Sequence, residues 1–284
     1  MAIALRKHST LVNDNAQPSR DQVLARYRAL REISKRHHHE VLKLISGDAL
    51  LRQARRLGLA QGKTLILDDM DELNYVYDLA IHTASPERSR AIDRYAKSAR
   101  LAEGSDEALV LEAMRKGQFS ILLIERRHET AGLIATDLVR GCETWLVDIG
   151  LESSMTEGKI MATRLFTPER FSMTAGVNVP LDLSMFEDVL AGLPRRLGRV
   201  PPATVIDNRH FAEAIYSFAL ANGIMDRIKH VDLPDEGWSG NMPRGGAPRS
   251  MKMGTSVSPW CYDVEADLTL RKPKRRRPTV SYYT

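Results

Sequence analysis

The sequence predicts an α+β chain: a helical N-terminal layer, a central small five-stranded β-barrel-like module, C-terminal helices and a disordered basic tail. Three observations carry this reading. Apolar residues recur every three or four positions from Val23 to Lys116, then every second position from Phe119 to Pro180, and the helical spacing returns after Asp182. Beyond Leu233 the composition shifts to glycine, proline, serine and basic residues, which bury too little apolar surface to hold one structure.

The elements follow in order. Residues 1–18 are polar and end in Gln17-Pro18, so they form a loose N-terminus. Ser19 caps a helix to about Ile45, with Val23, Tyr27, Leu30, Ile33, Val41 and Leu44 on its packing face and His37 filling the gap. Asp48 opens a second helix that stops at Gly58. A third runs from Asp69 to His82, with Asp69, Asp71 and Glu72 at its start, where the helix dipole favours carboxylates. Ser85-Pro86-Glu87 begins a helix to about Leu101, and another spans Ser105 to Lys116 before Gly117.

Strands are expected at Phe119–Ile124, Leu133–Val139, Thr144–Ile149, Ile160–Phe166 and Phe171–Val179, with turns at Arg140-Gly141 and Glu157-Gly158. So many strands in so short a stretch match a small closed or nearly closed barrel, because closure removes sticky edges. A helix from Asp182 or Ser184 to Leu193 and another over Asn208 to Asn222 complete the fold. The organisation is then 1–18 loose, 19–117 helical, 118–181 barrel module, 182–234 helical cap and 235–284 basic tail.

Composition bounds the function. With 43% hydrophobic and 27% charged residues the chain resembles a soluble globular protein. No apolar run approaches the roughly 20 residues that span a bilayer. Met1 to Leu5 is followed at once by Arg6 and Lys7 without a cleavage site, which is not a secretory signal. Cys142 and Cys261 are the only cysteines, which argues for a reducing cytoplasm and against a disulfide framework or thiolate zinc site. Both ends are basic and the middle is acidic: residues 1–63 carry 13 Lys and Arg against 5 Asp and Glu, and residues 235–284 carry 9 against 5. Residues 64–234 carry 19 against 26.

The motifs that suggest chemistry fail on context. Gly58 to Thr64 resembles a phosphate loop, but it is one residue short and follows a helix. His37-His38-His39 cannot converge on one ion, since consecutive helical side chains point about 100° apart; His37 is expected in the packing face and the other two in solvent. Asp68, Asp69, Asp71 and Glu72 lack the glycine and glutamate of a calcium loop and read as a helix cap. Asp137 and Asp148 read as structural, with Arg140 able to pair with either. No nucleophile elbow, Cys/His pair, zinc-protease motif or dinucleotide loop occurs, so no catalytic residue, cofactor or metal is expected.

The clearest candidates for contact are basic. Arg28, Arg31, Lys35 and Arg36 on the first helix, with Arg271, Lys272, Lys274, Arg275, Arg276 and Arg277 in the tail, can neutralise phosphates of any sequence. Tyr262, Tyr282 and Tyr283 flank the tail run and can stack on bases.

Segments from Arg26-Tyr-Arg-Ala-Leu-Arg31 through Thr64-Leu-Ile-Leu-Asp68, Ala91-Ile-Asp-Arg-Tyr95, Trp145-Leu-Val-Asp148 and Phe171-Ser-Met-Thr174 keep order and spacing. In these the chain resembles a family of uncharacterised bacterial proteins, over about residues 20–220. The resemblance implies helices followed by a small barrel, and no activity. The expected function is a non-catalytic binding or regulatory protein that contacts nucleic acid through the basic helix and tail. Its rivals are a structural protein with another protein as partner, and an enzyme with an unrecognised site near Asp137, Asp148 or Arg140.

Overall fold

A computed structural model describes residues 18–84, 88–192 and 205–224. Helix α1 (Arg20–Lys43) begins with the Ser19 capping box, in which Ser19 and Gln22 satisfy each other's backbone N–H groups. It is followed by α2 (Gly47–Arg56), a two-residue hairpin of β1 (Ala60–Gln61) and β2 (Thr64–Leu65), α3 (Met70–His82), α4 (Ala91–Ser98) and α5 (Asp106–Arg115). The phosphate-loop lookalike is that hairpin, with Gly62 at φ 61°. Asp69 caps α3 and Glu72 accepts from the Asp68 N–H, so this acidic cluster is a helix cap.

The five expected strands are present: β3 (Gln118–Arg127), β4 (Leu133–Asp137), β5 (Cys142–Leu146), β6 (Ile160–Phe166) and β7 (Met173–Leu181). They form one antiparallel sheet in the order β5-β4-β3-β6-β7. The sheet is curved but open, which corrects the barrel-like expectation. Its edges meet only at a parallel bridge, where Val147 N–H donates to the Ser172 carbonyl and Ser172 N–H to the Trp145 carbonyl. Closure stops there because the chain leaves β5 and enters α6 (Ile149–Ser154), capped by Asp148. Asp148 and Ile149, expected in a strand, therefore open a helix. The fourth helix is also shorter than expected, since Ala99 already has extended backbone. Helices α7 (Leu183–Gly192) and α8 (Arg209–Ala221) complete the described chain, and Ser85-Pro86-Glu87 and both termini lie outside it.

The alternating residues Met173, Ala175, Val177, Val179 and Leu181 put one face of β7 against helices along its whole length. One core joins α2, α3 and α8 to Phe119, Ile121 and Val179; a second joins α1, α4 and α5 to Phe166, Phe171 and Met173. A third core lies on the other face of the sheet, where Leu122, Ile124, Leu133 and Met161 meet Leu151 of α6. Among the described residues, no helix is long and apolar enough to cross a membrane.

Gly132 turns the chain from β3 into β4 at φ 81°, and a Cβ there would lie 2.3 Å from the Leu146 carbonyl oxygen. Only glycine tolerates both the dihedral and the approach. Gly132→Ala should therefore lower stability by about 2–4 kcal/mol in urea melts. A loss within 0.5 kcal/mol would show that the β3–β4 turn relaxes freely.

Candidate anion-binding cleft

A strongly charged concavity lies where α3 ends, α4 begins, α5 ends and α8 begins. It is a cleft of about 430 Å³ lined by Arg88, Arg90, Arg115, Lys116, Arg164 and Arg209, with Asp207 as the single carboxylate in its wall. Its position follows from local structure. Arg90 caps α4 and donates to the Arg115 carbonyl at the end of α5, while Arg209 donates to the Ala84 carbonyl just past α3. Cations at helix C-termini satisfy orphan carbonyls and the negative end of the dipole, so part of this charge has a structural purpose.

The remaining cations differ in how tightly they are held. Arg90 grips Asp93 with two bonds at 2.7 and 2.9 Å, and Arg115 shares Asp93 and Glu112. Lys116 is 3.2 Å from Glu112 but remains 76% exposed. Arg88 is exposed and forms no ion pair among the described residues. These last two are free to meet a ligand at the rim.

The floor is a buried polar cluster. Arg164 on β6 donates through Nε and Nη2 to Asp78 on α3 at 2.8 and 3.0 Å, and Tyr216 on α8 donates to the same carboxylate at 2.9 Å. The Arg164 guanidinium rests over the Phe119 ring, 5.5 Å from its centroid. Burial pushes the Asp78 carboxyl up, but the adjacent guanidinium and the Tyr216 hydroxyl outweigh it and hold it at about 2. The pair is ionised, and Arg164 Nη1 has no partner among the described residues.

Beside it His82, 7% exposed, lines the cleft, and neither ring nitrogen has a hydrogen-bond partner among the described residues. A buried polar group without a partner is uncommon and calls for a ligand or solvent to satisfy it. His38 on α1 meets His82 edge-on, ring centroids 6.3 Å apart, and shares a smaller cavity of about 20 Å³ with it. Burial holds His38 down at about 3 and His82 well below the usual imidazole range. His38 is thus buried and bonded to the Ser34 carbonyl, not in solvent as expected from a single packing face through His37, because α1 is covered on two sides. His37 packs as expected, bonded to Tyr95 and the Glu107 carbonyl, and His39 is exposed. Among the described residues no group of three potential ligands could hold a metal.

The basic residues singled out on α1 do not converge. Arg31 is buried, bonded to Asp148 at 2.8 Å and to both oxygens of Thr174. Lys35 pairs with Glu32 and Arg36 with Glu107, while Arg28 is exposed. Arg271, Lys272, Lys274, Arg275, Arg276 and Arg277 lie outside the described residues. Asp137 and Asp148 are structural hubs: Asp137 accepts from the Val139 and Arg140 N–H groups and the Arg140 side chain, and Asp148 caps α6 and binds Arg31. Arg140 pairs with Asp137 and Asp207, not Asp148. The cleft cations went unrecognised because they belong to the acidic middle of the chain, where segment charge hides them. The only linear hints are the close pairs Arg88/Arg90 and Arg115-Lys116 at helix ends.

Residues 21–191 match the model of a family of unknown function, DUF7986, and the chain belongs to that family. No curated protein and no solved structure matches it.

Two outcomes follow from the floor. Removing Asp78 strands a buried guanidinium, so Asp78→Ala should cost about 3–5 kcal/mol, whereas Tyr216→Phe removes one of three bonds and should cost about 1 kcal/mol. Equal losses in denaturant melts would contradict this division. Burial lowers all three buried histidines, and His38 and His82, held furthest down, set a pH dependence. Unfolded, both take up protons below about pH 6.5, while the folded chain resists until far lower pH. Stability is therefore complete above pH 6.5 and falls as pH drops, by up to about 1.4 kcal/mol per pH unit for each histidine. Urea melts between pH 7.5 and 5 should show that slope, and a flat profile would refute it.

Proposed function

We propose that this protein is a non-catalytic binding or regulatory protein whose ligand is a phosphate-bearing anion held in the cleft. The observation that carries the reading is the convergence of six cations on one concavity of ligand size, with the His82 imidazole, unbonded among the described residues, in its wall. Several guanidinium and ammonium groups around one point favour a multiply charged oxyanion, which accepts bidentate bonds from arginine. Binding is favoured over catalysis because the carboxylates around the cleft are each matched to a guanidinium and no serine or cysteine lines it. A bacterial, cytoplasmic setting is part of this reading, supported by the scarcity of cysteine.

A second reading, non-specific contact with nucleic acid, is supported by Arg28, exposed on α1 and without an ion pair among the described residues, together with the basic run from Arg271. It rests on fewer free charges on the body than the cleft offers.

The test is thermal or chemical denaturation of the full chain with inorganic phosphate or sulfate against chloride at equal ionic strength. Phosphate should stabilise by about 2.7 kcal/mol at a hundredfold excess over Kd. Arg88→Ala with Lys116→Ala should weaken phosphate binding at least about tenfold, while Arg28→Ala should leave it unchanged. No phosphate effect, or equal loss in both variants, would reject the cleft. Retention on nucleic acid that Arg28→Ala abolishes would favour the second reading.

A further inference from the structure

A second cavity of about 330 Å³ adjoins the cleft and shares Lys116 and Gln118 with it. Its chemistry is different. The Arg140 guanidinium in its wall is engaged through both terminal nitrogens, Nη1 donating to the Phe119 carbonyl, Ser120 and Asp137 and Nη2 to Asp207. Both Asp137 oxygens accept bonds, from backbone N–H groups on one side and Arg140 on the other. Arg140 is thus matched by two carboxylates and Asp137 by Arg140, so this pair offers neither a second anion site nor a repelling carboxylate.

What it does offer is neutral hydrogen bonding. The hydroxyls of Ser120, Thr144, Thr167 and Ser172 line it, beside the Gln118 amide at the shared rim. Thr167 and Ser172 satisfy each other at 2.7 Å, while the Thr144 hydroxyl and the Gln118 amide have no partner among the described residues. Groups that both donate and accept suit alcohols, which do the same. A planar base, by contrast, needs an aromatic face to stack on. The single aromatic ring in this wall, Phe166, is 2% exposed and packed into the core, and Phe119 in the cleft lies beneath Arg164.

We propose that the two cavities form one site for the phosphate monoester of a polyhydroxylated small molecule, a sugar or polyol phosphate. The phosphate sits among Arg88, Lys116 and the free Nη1 of Arg164, and the hydroxylated body lies over Gln118 and Thr144. This rests on the anion reading above and names its ligand class.

Calorimetric titration of the full chain at fixed ionic strength with inorganic phosphate, glucose 6-phosphate, glucose and AMP separates the possibilities. Glucose 6-phosphate should bind at least about tenfold tighter than phosphate, glucose should give no detectable heat, and AMP should bind no tighter than phosphate. Thr144→Val, which keeps the side-chain shape, should weaken glucose 6-phosphate about fivefold and leave phosphate unchanged, the effect of one lost hydrogen bond. Glucose 6-phosphate no tighter than phosphate, or AMP the tightest, overturns the sugar-phosphate assignment and leaves the anion cleft standing. Failure of every anion to bind overturns both.

Discussion

The ion pair between Arg164 and Asp78, completed by the Tyr216 hydroxyl, joins strand β6, helix α3 and helix α8 at one buried point. Such a pair gains little over a well-packed apolar substitute, yet neither half can be left alone without a large penalty. It therefore acts less as glue than as a register pin. With Asp78 fixed, α3 ends where its last turn faces the sheet, and with Tyr216 fixed, the start of α8 is held across from it. Tyr216 also stacks on Tyr75 of α3, ring centroids 4.6 Å apart, which keeps the two helices at one separation. The cleft is the gap that this geometry leaves between them.

The same point shapes the electrostatics around it. His82 and His38 lie within the field of Arg164 and Arg31, and burial already disfavours their charged forms. They persist as neutral polar groups in a mostly aliphatic interior, at some cost in stability. Arg31 makes a parallel arrangement about two turns before His38 on α1, where Tyr27, Asp148 and Thr174 satisfy its guanidinium and anchor α6 and β7. Two buried arginines thus tie helices to the neighbouring strands β6 and β7.

Most of the fold was legible because its signals are local. Ser19, Asp69 and Ser105 announce helix starts through caps that need only neighbouring residues, and β7 alternates without a break. The failures share one cause. The alternation around Trp145 continues through Asp148 and Ile149, and nothing nearby reveals that Arg31 and Thr174, distant in the chain, will hold the Asp148 carboxylate. Barrel closure likewise depends on whether two edge strands meet along their length, which pattern does not encode. His38 looked solvent-facing because the second wall over α1 comes from elements far along the chain.

Periodicity, caps and composition by themselves determined most of the helices and strands, α6 excepted, and that the sequence lacks familiar catalytic motifs. Only the tertiary structure decided that an acidic middle segment collects Arg88, Arg90, Arg115, Lys116, Arg164 and Arg209 around one cleft. The reason is physical: charge counted along a chain averages over tens of residues, whereas a ligand responds to charges within a few ångströms, and folding alone sets those distances.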